Sequence, residues 1–250
     1  MLKSVIIIPA YNAAKTIKSV IGKVDRTIIE DIIVLNDGSN DQTEKVLNTI
    51  DNIKVLHHES NKGYGFAMRR LYEEAYKYGY DLIITLHADI AHNPSEIPNM
   101  LQPLYSGVAD VVVGDRTGGI LNGVPSFMKS KFLGALFFGP MPAYKLIFTI
   151  LITKFQNICY GTNLHAFHSG FRSCNRKTLE IINFQELTGG YCFDTEFLLK
   201  ANAKKLRIKE VPVTSYYSKD AGSNVPVIRY GYETVLSAIK YWLKNHDRKR

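Results

Sequence analysis

Residues 4–36 read SVIIIPAYNAAKTIKSVIGKVDRTIIEDIIVLN, and this stretch decides the fold. It opens on a Val/Ile run, Ser4–Pro9, and closes on another, Ile29–Asn36. Between them Ala14–Val24 places Ile17, Val20 and Ile21 on one helical face. A short apolar run bounded by turn residues suits a strand covered on both faces. Two such runs joined by an amphipathic helix form a βαβ unit. The pattern continues, with strands expected at Ile53–His57, Asp81–Leu86 and Asp110–Gly114, and helices at Asp41–Ile50, Phe66–Tyr78 and Pro94–Tyr105. Asp41 stands three residues before Glu44, a capping-box spacing, and Asn93 precedes Pro94 as a helix cap should. This alternation predicts an open, mostly parallel α/β sheet with right-handed crossovers and helices on both faces.

Beyond Asp115 the pattern changes. Thr117–Pro125 is a glycine-rich loop, and Phe127–Cys159 is apolar and aromatic with lysines at 129, 131, 145 and 154. That segment reads either as a helical pair covering the sheet or as a surface that meets lipid. Helices are expected at Asn175–Ile182 and Asp194–Ala203, and a strand at Leu206–Val213. Tyr230–Asn245 gathers Tyr232, Val235, Leu236, Ile239, Trp242 and Leu243 on one helical face. It runs into a basic tail, Lys244, Arg248, Lys249 and Arg250, suited to solvent or to anionic lipid. The expected organisation is a domain over residues 1–213, with a nucleotide-binding half to about residue 116 and an acceptor half over 117–213. Residues 214–250 form a C-terminal extension.

Composition narrows the function classes. Of 250 residues 46% are hydrophobic, which excludes a disordered chain, and the net charge of +8 favours anionic partners. The basic residues are scattered without interleaved aromatics, so nucleic acid is not an expected partner. Three widely spaced cysteines (Cys159, Cys174 and Cys192) make neither a disulfide framework nor a zinc site and point to a reducing compartment. The apolar run before Pro9 is too short for a signal peptide, and no uninterrupted run approaches the roughly 20 residues of a spanning helix. The expected location is cytoplasmic, with peripheral contact on the inner face of the membrane.

In an open parallel sheet, ligands collect at the carboxyl ends of the strands. Each expected strand here is followed there by polar groups: Pro9-Ala10-Tyr11-Asn12, then Asn36-Asp37-Gly38, Asn61-Lys62-Gly63, His87-Ala88-Asp89, and Gly114-Asp115-Arg116. Taken singly, these are turn and helix-entry residues. Together they suit a sugar nucleotide: Asp37 for a base or ribose, Asp89 beside His87 for a divalent cation, Arg116 for phosphate charge, and Gly63 for close backbone approach. His165 and His168, three apart, read as hydrogen-bonding histidines before they read as a metal pair.

The segments SVIIIPAYN, VLNDGSNDQTEKVL, NKGYGFAMRRL, LHADIAHNP, VVVGDR, FHSGFRSCNRKTLE, FDTEFLLKA and RIKEVPV, in this order, resemble the family 2 glycosyltransferases, most of all the dolichyl-phosphate mannose synthase type. The resemblance runs from about Val5 to Val213. It implies the GT-A fold and inverting transfer of a sugar from a UDP- or GDP-linked donor to a polyprenyl phosphate or a glycan hydroxyl, with Mg²⁺ or Mn²⁺. By position it implies that Pro9, Ala10, Tyr11, Asn12 and Leu35 line the nucleotide, with Asp37 on its base or ribose and Lys62 and Gly63 nearby. His87-Ala88-Asp89 occupies the Asp-x-Asp site, with Asp89 and His87 as the metal ligands. Arg116 and Arg172 meet diphosphate or acceptor charge, and Asp194 or Glu196 is the general base where the acceptor is a hydroxyl.

The sequence departs from that pattern at Ala13, Asn36, His87, Ala91 and Ala166, where acidic residues or, at 91, glutamine are frequent. Hard Mg²⁺ prefers oxygen, whereas Mn²⁺ accepts imidazole. Two other readings stay open. One is a catalytically impaired nucleotide-sugar or lipid-head-group binder of the same fold. The other is a sugar nucleotidyltransferase, which would be expected to carry a Gly-rich basic loop where Pro9-Ala10-Tyr11-Asn12 stands.

Overall fold

The computed structural model describes residues 2–115, 143–214 and 227–246. Seven strands form one sheet in the order β3-β2-β1-β4-β6-β5-β7. They are β1 (Ser4–Ala10), β2 (Asp31–Asp37), β3 (Lys54–His58), β4 (Leu82–Thr85), β5 (Val111–Asp115), β6 (Arg172–Asn175) and β7 (Ile208–Pro212). Strand β1 pairs in parallel with β2 and β4, β2 with β3, and β5 with β7. Strand β6 alone runs antiparallel, inserted between β4 and β5. The expected mostly parallel α/β sheet is therefore present, with one reversed strand at its centre.

Four of the five Val/Ile runs are buried on both faces, as their composition requires, and the fifth forms the half-buried edge strand β3. Successive residues of a strand point to opposite faces. Val5, Ile7, Ile33 and Leu35 pack on one face with Ala67, Met68, Leu71 and Tyr72. Ile6, Ile8, Ile32 and Val34 pack on the other with Ile17, Val20, Met100 and Leu101. Among the described residues the α-helices are α1 (Ile17–Gly22), α2 (Thr43–Leu47), α3 (Tyr64–Lys77), α4 (Ile97–Tyr105), α5 (Ala143–Tyr160), α6 (Arg176–Ile181), α7 (Phe193–Ala203) and α8 (Val227–His246).

The local signals act much as expected, with one exception. Asn93 accepts a hydrogen bond from the Ser95 N–H, and Pro94 opens a 3₁₀ turn that leads into α4. Asn175 caps α6 by accepting from the Thr178 N–H. The capping-box reading of Asp41 gives way to a different arrangement. Asp41 Oδ1 accepts from the Thr43 N–H while Oδ2 takes the Ala14 N–H, so this side chain joins two loops and α2 starts after Gln42. Arg116, the Thr117–Pro125 loop and the first part of Phe127–Cys159 lie outside the described residues, as do Arg248, Lys249 and Arg250.

Candidate active site

Parallel pairing of β1, β2, β3 and β4 brings their carboxyl ends to one rim of the sheet. The loops there are laced together by short bonds. The Asn12 N–H donates to Ser39 Oγ at 3.0 Å, Asn12 Oδ1 accepts from the Asn40 N–H at 2.9 Å, and the Ala13 N–H donates to Thr43 Oγ1 at 2.8 Å. Asn12 adopts φ 52°, which an asparagine tolerates better than most residues. Pro9 and Tyr11 are half-buried on this rim and Asn12 and Lys62 are exposed, whereas Ala10 and Leu35 are fully buried in the sheet. Leu35 thus supports the rim from behind and presents no surface to a ligand.

Asp37 is buried, and both of its carboxylate oxygens are engaged. Oδ1 lies 2.6 Å from His58 Nδ1 and accepts the Lys62 N–H at 3.0 Å, while Oδ2 accepts the Gly63 N–H at 2.9 Å. The side chain predicted to meet a base or ribose fixes the loop that enters α3. Gly38 makes this close approach feasible. It sits at φ 63°, and a Cβ there would lie 2.4 Å from the Ser60 backbone.

That loop delivers Tyr64, a residue the sequence reading passed over. Its hydroxyl donates to Asp194, 3.1 Å from Oδ1 and 3.0 Å from Oδ2, and lies 3.4 Å from His87 Nε2. Burial first, and the adjacent Asp194 charge second, push the phenol well above its ordinary pKa, so it remains a donor. His87 follows β4 and approaches Gly170 closely. A Cβ on Gly170 would come 2.0 Å from its Nε2, so only glycine admits the ring. Arg172 is 2% exposed on β6. Its Nε donates to the Ser169 carbonyl at 2.8 Å, Nη2 to Phe167 at 3.0 Å and Nη1 to the Asp194 carbonyl at 2.6 Å, and Nη1 stands 3.2 Å from Asp194 Oδ1. The guanidinium predicted to face diphosphate or acceptor is instead surrounded by protein and anchors Asp194.

Structure thus brings Tyr64, His87, Arg172 and Asp194 into one cluster where β4 and β6 meet the start of α7. Glu196, one turn along α7, stands slightly apart. Its Oε2 accepts the Thr188 N–H at 2.7 Å, and burial raises its proton affinity. The 188–190 loop so held also seats against α3, where Gly65 donates its N–H to the Gly189 carbonyl at 3.0 Å. The two histidines three apart go separate ways. His165 Nδ1 pairs with Glu210 Oε2 at 2.8 Å, and His168 Nδ1 meets the Tyr230 hydroxyl at 2.6 Å.

Asp89 remains half-buried on the rim, with Oδ1 accepting from the Ala91 N–H at 3.1 Å. Among the described residues no three His, Cys, Asp or Glu side chains converge as a ready-made metal cage. A single hard carboxylate fits a cation that draws most of its shell from phosphate oxygens and water, as Mg²⁺ commonly does. His87, engaged by Tyr64 and Gly170, is the less available of the two predicted ligands. Ala88 is buried between them.

The family model described as Glycosyl transferase family 2 matches residues 5–182. Among curated relatives, the UDP-N-acetylglucosamine–dolichyl-phosphate N-acetylglucosaminyltransferase of Methanococcus voltae is 30% identical over 241 residues, covering 89% of this chain and 90% of that protein. The polyprenol monophosphomannose synthase of Mycolicibacterium smegmatis is 26% identical over 235 residues, covering 89% of this chain and 83% of that one. In fold, the chain is similar to glucosyl-3-phosphoglycerate synthase from Mycobacterium tuberculosis, solved with Mn²⁺, UDP and glucosyl-3-phosphoglycerate. The TM-score is 0.65 at 19% identity, over 96% of this chain and 80% of that one. The same synthase has also been solved with Mg²⁺ and UDP.

Proposed function

This chain belongs to glycosyl transferase family 2 and is a glycosyltransferase, and from that premise we propose that it moves a sugar from a UDP- or GDP-linked donor to a polyprenyl phosphate with inversion. In that reaction an acceptor phosphate oxygen forms a bond to the anomeric carbon. The bond from that carbon to the diphosphate breaks, and the nucleoside diphosphate leaves with the electron pair. The names of the two relatives support this acceptor class, since one is a dolichyl-phosphate transferase and the other a polyprenol synthase. Such an acceptor implies work at a membrane surface.

One observation carries the choice of acceptor. A hydroxyl acceptor needs a carboxylate free to turn toward its proton. Asp194, the acid nearest the rim on the acceptor side, has its oxygens held by Tyr64 and the buried Arg172. A phosphate monoester is already an anion and needs no base. Pro9, Tyr11, Asn12 and Lys62 are the accessible rim residues for the nucleotide. Asp37 acts one step back, by shaping the loop that carries Lys62 and Gly63.

Asp89 is the residue to hold Mg²⁺ or Mn²⁺, which when bound supplies Lewis-acid stabilisation to the departing diphosphate. Arg116 is retained as a phosphate contact in this reading. A second reading, transfer to a glycan hydroxyl, draws on Glu196, whose burial raises its proton affinity toward that of a general base.

The test is a panel of radiolabelled UDP- and GDP-sugars with a short prenyl phosphate, with and without Mn²⁺ or Mg²⁺. The expected result is a lipid-extractable product that disappears with chelator. Asp89→Asn should lower kcat by about 100-fold or more with an unchanged circular dichroism spectrum. Normal turnover by that variant would remove the metal assignment. Sugar transfer to hydroxyls alone would favour the Glu196 reading.

A further inference from the structure

Tyr64 stands between two groups that differ in what they can exchange with a hydroxyl. The Asp194 carboxylate can only accept, so the one Tyr64 O–H proton lies toward it, with the oxygens at 3.0 and 3.1 Å. A hydrogen bond to a charged acceptor outweighs one to a neutral imidazole. The imidazole is also the more distant partner, with His87 Nε2 at 3.4 Å. Its proton committed, the Tyr64 oxygen offers His87 lone pairs alone. Nε2 meets that oxygen favourably only when it carries the hydrogen.

Packing around the ring supports the same assignment. A Cβ on Gly170 would come 2.0 Å from His87 Nε2, so this edge is pressed against backbone and has no room for water on that side. Nδ1 makes no hydrogen bond among the described residues and is not sealed from solvent. A neutral imidazole carries one hydrogen, and with it on Nε2 the other nitrogen keeps its lone pair. His87 and Asp89 are both half-buried and flank the buried Ala88 at the exit of β4.

We propose that Tyr64 is a positioning residue: by bridging Asp194 and His87 it holds the imidazole as the Nε2–H tautomer and keeps Nδ1 as a lone-pair donor beside Asp89. An oxygen ligand with a nitrogen ligand next to it favours Mn²⁺ over Mg²⁺, which prefers oxygen alone. A partner that fixes the tautomer of a ligating histidine tunes the metal without touching it.

The tautomer is a property of the metal-free chain, whereas the metal preference rests on the proposed role of Asp89, and two measurements keep them apart. The first is long-range ¹⁵N–¹H correlation of the histidine-labelled full chain in alkaline buffer, where imidazole is neutral, with His87→Gln to identify the signal. His87 should carry its hydrogen on Nε2. Tyr64→Phe keeps the ring that packs edge-on to Phe193 and should give a mixture of both tautomers with an unchanged far-ultraviolet spectrum. An Nδ1–H signal in the unaltered chain, or an unchanged tautomer in the variant, would overturn the proposal. Should the variant not fold, the spectrum of the unaltered chain still decides.

The second measurement titrates Mn²⁺ by electron paramagnetic resonance, and Mg²⁺ by competition, in the presence of UDP and of GDP. Tyr64→Phe should weaken Mn²⁺ about tenfold and Mg²⁺ much less, and should add nothing in a His87→Gln background. An equal loss in that background would overturn the claim that Tyr64 acts through His87. A chain that shows the Nε2–H tautomer and binds no cation would overturn the metal reading of Asp89 and leave the tautomer standing.

Discussion

Two regions of this molecule carry apolar residues in regular patterns, and they point them in opposite directions. In the sheet, Ile33 and its neighbours on β1, β2 and β4 lie at zero exposure between two layers of helices. In the α5–α8 pair, Leu151, Ile158, Ile239 and Leu243 face outward, while Thr153, Gln156 and Thr234 lie inside beside Ile152 and Tyr160. Hydrophobic periodicity establishes that an element has a face. What that face meets is decided by the partners available to it, and the two regions have different partners. Polar groups differ in the same way. In the sheet region a buried charge is admitted only with a full set of partners, as Arg172 shows.

The largest test of that contrast removes such a charge. Arg172→Met should cost about 3–5 kcal/mol, because it strands the carbonyls of Phe167, Ser169 and Asp194 and leaves the Asp194 carboxylate without its cation. Urea unfolding followed by circular dichroism measures it. A cost below about 1 kcal/mol would mean that water reaches these groups and that the region is less closed than its burial implies.

A smaller effect is expected from pH. Asp110 is buried at the start of β5, where its oxygens accept from Arg207 Nε and Nη2, both at 2.9 Å, and from Asn175 Nδ2 at 3.1 Å. The Arg207 guanidinium holds its carboxyl well below the usual carboxylate range. A carboxyl depressed on folding contributes stability above its unfolded pKa of about 3.9, and that contribution is lost as pH falls toward the folded value. Asp110→Asn should therefore be less stable than the unaltered chain at pH 7, and the gap should narrow on acidification below about pH 4. Thermal midpoints taken across the acid limb decide it, and a gap that stays constant with pH would assign the effect to packing instead.

The sequence made the sheet legible because a strand covered on both faces needs a Val/Ile-rich run, and four such runs, with a fifth for the half-buried edge strand β3, stand between Ser4 and Gly114. A strand before the helix at Asn175 was expected, but neither the bounds of β6 nor its reversed direction was legible. Arg-Ser-Cys-Asn is four residues long and mostly polar, and it pairs in the sheet because Ser173 Oγ reaches the Met100 carbonyl and Arg172 finds its ring of carbonyls, partners distant in sequence. At the site, the positions of Asp89 and Asp37 at strand exits were legible, but their roles were less so. Nothing in Asn36-Asp37-Gly38 announces that the backbone of residues 62 and 63 will occupy the carboxylate. A run buried on both faces also has no polar alternation, so Leu35 could not be distinguished from a rim residue. Tyr64 was hidden by its place at a helix start, where the glycines on either side drew attention to the backbone and away from the hydroxyl.

The smallest expected effect is also the most discriminating between the two regions. Ile158 and Ile33 are the same residue type, at 77% and 0% exposure. Ile33→Ala removes buried methylenes from a core that cannot fully collapse and should cost about 2–5 kcal/mol. Ile158→Ala removes the same atoms from a position that folding leaves mostly in water, so its unfolding free energy should change by no more than about 0.5 kcal/mol. Paired urea curves on these two variants compare the regions with side-chain chemistry held constant. If Ile158→Ala proved nearly as costly as Ile33→Ala, the outer face of α5 would be covered within the protein itself. Its periodicity would then face inward like that of the sheet, and the contrast between the two regions would be lost.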